Sequence, residues 1–150
     1  MDVIADPTTA IEELRRRGLP DVFERLWASE GLGPFGCFGQ PPRQYFQMAA
    51  DLIALAPAAA GLCPLWEVNG ESVIGLLPSG TFVRIYYEDL GEGDDAIQRL
   101  ADSYDEFVQG LLVRRAEAGD WEWFERIART LQYPDPAGLK ARVAAGLTNG

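Results

Sequence analysis

The chain has 150 residues, 23 acidic against 13 basic side chains, a net charge of −10 and no histidine. One domain is the expected count, with a core large enough to need no disulfide staples. The charge argues against nucleic acid or an anionic membrane as partner. The missing histidine removes the imidazole base on which the common serine and cysteine hydrolases depend. A single lysine, Lys140, makes Schiff-base chemistry and P-loop phosphate binding poor readings. Cys37 and Cys63 are too few for a secreted disulfide framework, and a zinc site built on them would need carboxylates to complete it. Two small buried hydrophobes in a reducing compartment is the expectation, with no metal and no cofactor. The first six residues lack the basic and apolar regions of a signal peptide, and no apolar stretch reaches the roughly 20 residues that span a bilayer. A cytoplasmic protein is expected.

Asp6-Pro7-Thr8-Thr9 opens a short first helix, with Thr8 or Thr9 as N-cap. Glu12 and Glu13 are expected in its first turn, where the dipole favours them, Arg15 to Arg17 in its last turn, and Gly18 stops it. Leu19-Pro20-Asp21 starts a second helix to about residue 29, with Val22, Phe23, Leu26 and Trp27 on one face. Residues 31–39, GLGPFGCFG, contain the string G-x-G-x-x-G. A dinucleotide fingerprint has to follow a strand and open a helix, whereas this one follows a helix and runs into Pro41-Pro42. A glycine-rich loop with Phe35 and Phe38 tucked beneath it is the expectation. A third helix over about 42–56 carries Tyr45, Met48, Ala49, Leu52, Ile53 and Leu55 as its apolar stripe, and Pro57 ends it.

Residues 62–89 read LCPLWEVNGESVIGLLPSGTFVRIYYED, three apolar runs separated by Asn69-Gly70 and Pro78-Ser79-Gly80. Asn-Gly accepts the positive φ values of a type I′ turn, and Pro-Ser-Gly supplies the second reversal. The pattern predicts a three-stranded antiparallel meander over about 62–68, 71–77 and 81–88. In the third strand Val83, Ile85 and Tyr87 form an apolar face for helices, while Phe82, Arg84, Tyr86 and Glu88 form one partly open to water. Residues 90–95, LGEGDD, lack EF-hand spacing and read as a flexible acidic loop. Residues 96–101 read as either a fourth strand or a helical turn, with the lean towards an edge strand. Ser103-Tyr104-Asp105-Glu106 is a capping box that opens a helix to about 118. Asp120 caps a further helix, 121–132, in which Trp121 and Phe124 share a packing face and Trp123 points elsewhere. A last helix is expected over 138–147. Helices, then strands, then helices is the α+β pattern. The expectation is an antiparallel or mixed sheet of three to five strands, with N-terminal helices packed on one face and a helical C-terminal third.

Between residues 67 and 106 ten acids stand against Arg84 and Arg99, so this stretch holds −8 of the net −10. Glu67 and Glu71 flank the Asn69-Gly70 turn, and a carboxylate pair is the glycosidase arrangement. Acids beside a hairpin turn more often serve solubility and edge protection. A non-catalytic binding module fits better, because complementary charge steers and discriminates a basic partner. Glu67, Glu71, Glu88, Asp89, Glu92, Asp94 and Asp95 are the candidate contacts with that partner. A regulatory scaffold and, further off, a carboxylate-dependent hydrolase are the alternatives.

Three stretches carry a family likeness. Leu19-Pro20-Asp21 opening an early helix, the hairpin segment PLWEVNGESVIGLLPSGTFVRIYYED, and IQRLADSYDEFVQGLL over 97–112 together resemble the SUKH superfamily. That group holds bacterial toxin-immunity proteins and a yeast cell-wall-synthesis regulator. The last stretch is similar to the family's A-x-S-F-x-E-F-L, with Tyr104 for its Phe and Val108 for its Leu. The resemblance implies one SUKH-like domain over 1–150, with its core at about 19–118 and a helical extension at 119–147. It carries no catalytic residue set. It implies direct binding and neutralisation of a cognate toxin of nuclease or deaminase type inside the cell.

Overall fold

A computed structural model describes residues 3–28 and 40–146. The glycine-rich stretch, Phe35, Phe38 and Cys37 lie outside the described residues, and so does Leu147, the last residue of the expected C-terminal helix.

The sheet is a four-stranded antiparallel meander in the order β1-β2-β3-β4. Its strands are β1 Cys63–Val68, β2 Ser72–Leu76, β3 Phe82–Tyr86 and β4 Ile97–Ala101. Asn69 (φ 52) and Gly70 (φ 69) both take the left-handed values that the first turn requires. The register shifts between Pro64 and Trp66, beside a proline that has no N–H to give the ladder. Opposite this stretch, Gly75 leaves room for β1: a Cβ there would lie 2.8 Å from the Cys63 carbonyl oxygen. β4 forms at the edge, as its sequence suggests.

Among the described residues six α-helices surround the sheet: α1 Pro7–Arg16, α2 Val22–Ala28, α3 Arg43–Leu55, α4 Tyr104–Glu117, α5 Trp121–Thr130 and α6 Pro136–Ala144. α1 is capped by Asp6, not by Thr8 or Thr9, and this earlier start leaves Glu12 and Glu13 beyond its first turn. Asp6 is extended, Pro7 takes the first helical position, and the Asp6 carboxylate accepts from Thr9 N at 2.9 Å. Ser103 Oγ caps α4 by accepting from Glu106 N at 3.1 Å, and Asp120 Oδ1 caps α5 by accepting from Trp123 N at 3.3 Å. α6 starts two residues before its expected position because Asp135 accepts from Gly138 N at 3.0 Å with Pro136 behind it.

The three N-terminal helices divide between the two faces of the sheet. α1, α2 and α4 to α6 share one core with Leu65, Trp66, Ile74, Leu76 and Phe82 of the strands. α3 and two 3₁₀ segments, Pro57–Ala59 and Tyr87–Ala96, share the other with Val73, Val83 and Ile85. The C-terminal extension belongs to the first core, through Phe124, Ile127, Leu131 and Leu139. In α3, Tyr45, Ala49 and Leu52 are buried as expected, but Leu55 is 52% exposed because the helix has reached its last turn beyond the sheet. Cys63 is buried, its thiol donates to the Ala10 carbonyl at 3.3 Å, and burial pushes its pKa up to about 12. No helix among the described residues is long and apolar enough to cross a membrane.

Candidate functional site

The meander gathers the acids at one end of the sheet. The β1–β2 turn lies there, since Val68 pairs with Ser72 and Ser72 with Tyr86. The connection from β3 to β4 leaves from Tyr86 and returns at Ile97, which pairs with Ile85. Tyr87 N donates to the Glu71 carbonyl at 2.9 Å, so the hairpin turn and the start of this connection are joined. Glu71, Glu88, Asp89, Glu92, Asp94 and Asp95 therefore share one rim. All are exposed except Asp89, which is half-buried. No basic residue occurs between Ile85 and Gln98 to offset them.

The connection is not the open loop that its glycines and acids suggest. Tyr87–Ala96 winds into 3₁₀ turns with a break at Gly93 (φ 66, ψ −136), and Leu90 is buried in the α3-side core. Asp94 Oδ1 accepts from Ala58 N at 2.9 Å, tying the segment to the turn after α3. A short apolar anchor and one carboxylate–backbone bond are enough to fix a segment of this length.

Glu67 departs from the expected contact set. It is 1% exposed, on the α3 side of β1, opposite Val73 and not opposite Glu71. α3 begins after Pro42, which has no side-chain cap to offer. Glu67 reaches across from β1 to do that work. Its Oε1 accepts from Gln44 N at 2.9 Å and its Oε2 from Tyr45 N at 3.1 Å. The Tyr87 hydroxyl donates to the same Oε2 in a short hydrogen bond. The carboxylate thus meets the positive end of the helix dipole and satisfies two of its open N–H groups. Burial, followed by this bond to an anionic acceptor, raises the Tyr87 pKa above the usual phenol range. Glu67 holds the rim in place from beneath and presents no free carboxylate to a partner or substrate.

Sequence pattern does not single out a second polar cluster, on the opposite face. Arg84 Nε donates to Ser72 Oγ at 3.0 Å, and its guanidinium lies 4.5 Å from the Tyr86 ring centroid. The one signal was a strand that alternates aromatics with an arginine. Trp66 is wholly buried, and Trp121 packs edge-on to Phe124 with centroids 5.3 Å apart. Trp123 is half-buried beneath Arg126 at 5.3 Å. No group of three or more histidine, cysteine, aspartate or glutamate side chains among the described residues is placed to hold a metal ion.

Comparison with family models, curated proteins and solved structures finds no match to the chain.

Proposed function

We propose that the chain is a non-catalytic protein-binding module whose acidic rim docks a basic partner domain. A toxin-neutralising role of the kind implied by the SUKH likeness is the reading we favour. One observation carries it: six carboxylates at one end of the sheet, five on an anchored segment and Glu71 on the hairpin turn joined to it, with no basic residue between Ile85 and Gln98. Acids fixed on such a scaffold lose little conformational entropy on binding. Their summed field speeds encounter with a basic surface and disfavours acidic competitors. The carboxylate-pair hydrolase loses ground, because Glu67 is committed to α3 and Tyr87.

The test is co-expression with a basic toxin domain encoded beside this chain's gene. Wild type should restore growth. A Glu88→Lys, Glu92→Lys, Asp95→Lys variant should fail to restore it and should associate roughly tenfold more slowly at low salt. Asp94 is left intact because its carboxylate holds Ala58 N. Equal rescue by the folded variant would sink the assignment of the rim.

A further inference from the structure

On the opposite face of the sheet, α4 covers only part of the strands. Phe107 stacks on Phe82 with centroids 4.5 Å apart and closes that region. Beyond it lies a groove of 240 Å³, lined by the apolar side chains of Trp66, Ile74, Leu111 and Ile127 and by Arg84 and Arg114. An adjoining recess of 80 Å³ shares Ile74, Arg84, Leu111 and Arg114 with it.

The charges around this groove are unevenly matched. Arg115 at its rim is paired with Asp120 at 3.3 Å. Glu106, which lines the recess, lies 3.4 Å from Arg99. Arg84 makes its bond to Ser72 and its stack on Tyr86 and has no carboxylate partner among the described residues, and neither has Arg114. In a chain with 23 acids and 13 bases, most arginines find a carboxylate; Arg15, Arg16, Arg17, Arg25, Arg99, Arg115 and Arg126 all do. Two guanidinium groups without one, both lining the same apolar groove, make a site with an unmet demand for negative charge. Guanidinium donors suit a carboxylate in bidentate geometry.

We propose that this groove binds a small organic monoanion, a carboxylate carrying a short alkyl or aryl body. The body lies on Val68 and Leu111, over the buried Trp66 and Ile74, and the head group meets Arg84 and Arg114. The groove is smaller than the roughly 300 Å³ at which drug-sized ligand pockets begin, which limits the body to one alkyl chain of about seven carbons or one ring. The site lies on the α4 face of the sheet and uses none of the rim carboxylates, so each reading stands or falls without the other.

The test uses the full chain with methyl-labelled isoleucine and leucine, titrated separately with octanoate, octan-1-ol and acetate. Octanoate should give saturable shifts centred on Ile74, Leu111 and Ile127. Octanol should bind roughly tenfold more weakly, because charge-assisted hydrogen bonds to the head group are lost, and acetate should give no saturation. Arg114→Gln, at an exposed position near the end of α4, should weaken octanoate about fivefold or more without moving the melting temperature. Arg84→Met should weaken it further; if that variant does not fold, Arg114→Gln alone decides. Absence of saturable shifts at about 10 mM octanoate, well above the range of a specific site, would overturn the proposal. So would equal binding of octanol, or unchanged affinity in Arg114→Gln.

Discussion

The two faces of one sheet are closed by different physics. On the α4 side, Phe23, Trp66, Phe107 and Phe82 form a chain of ring contacts, with successive centroids 5.8, 5.7 and 4.5 Å apart. On the α3 side the buried residues are mainly alanine, valine, leucine and isoleucine, with Tyr45 the one buried aromatic among the described residues. The smaller core is tied down by carboxylates: Glu67 holds α3 and Tyr87, and Asp94 holds the turn after α3. Where apolar area is generous, packing fixes the elements. Where it is thin, buried or half-buried polar bonds take over, because each costs more to leave unmade than it contributes when made.

The largest expected effect lies on the aromatic side. Phe107→Ala removes a ring that stacks on Phe82 and touches Trp66 within the aromatic chain of this core. A loss of about 4 kcal/mol is expected in urea or thermal unfolding. A loss below about 1.5 kcal/mol would mean that this face relaxes freely, and the contrast between the faces would fail.

On the α3 side the corresponding change is Glu67→Ala, which leaves Gln44 N, Tyr45 N and the Tyr87 hydroxyl without their acceptor. About 3 kcal/mol should be lost, with amide exchange in the first turn of α3 accelerating before that of α4. Tyr87→Phe removes only one of the three donors and should cost about 1 kcal/mol. If Glu67→Ala were nearly neutral, the idea of a face held by carboxylates would be wrong, whatever became of Phe107.

α1 lies on the aromatic side, yet it too has a polar tie, which sharpens the comparison. Glu13 is paired with Arg16 at 2.6 Å and Arg17 at 2.9 Å, and Arg17 donates to the carbonyls of Leu76 and Gly61 at 2.7 and 3.0 Å. The hydrogen bond from Arg16, then the charge of Arg17, holds the Glu13 carboxyl below its ordinary value of 4.5, against the opposing effect of burial. The folded-state pKa is depressed, so the contribution is fully present above about 4.5 and is lost as pH falls through the lower folded value. Glu13→Gln should cost about 1.5 kcal/mol at neutral pH. The gap between variant and wild type should close under acid, measured as melting temperature against pH. A gap that persisted unchanged to low pH would assign the effect to packing.

The meander was legible because its signals are local. Asn69-Gly70 and Pro78-Ser79-Gly80 specify reversals by backbone chemistry alone, and Ser103 and Asp120 cap helices within three residues of themselves. What escaped was non-local. Nothing near Glu67 in sequence shows that α3, whose Tyr45 lies 22 residues upstream, follows a proline and lacks a side-chain cap. The acids of Tyr87–Ala96 look like a solvated loop until Leu90 and Asp94 are seen to find partners around α3. The groove beside Arg84 depends on how far along the sheet α4 extends, which its own sequence does not encode. Charge clustering found the rim; it could not tell a carboxylate at the surface from one committed beneath it.

Asp94 marks that boundary within the rim itself. Its carboxylate is exposed, and it also accepts from Ala58 N at 2.9 Å, so it is both part of the acidic surface and a tie across the α3-side core. Asp94→Asn keeps an acceptor oxygen and removes the charge, whereas Asp94→Ala removes both. A bond to an exposed carboxylate contributes little, so Asp94→Ala should lower stability by about 1 kcal/mol and Asp94→Asn by less than half of that. Glu92→Ala, with no bond to lose, should stay within about 0.5 kcal/mol of wild type. Side by side in one unfolding series, the three separate the part of the rim that holds the segment in place from the part left free for a partner. Equal losses for Asp94→Ala and Glu92→Ala would mean that Leu90 alone anchors the segment.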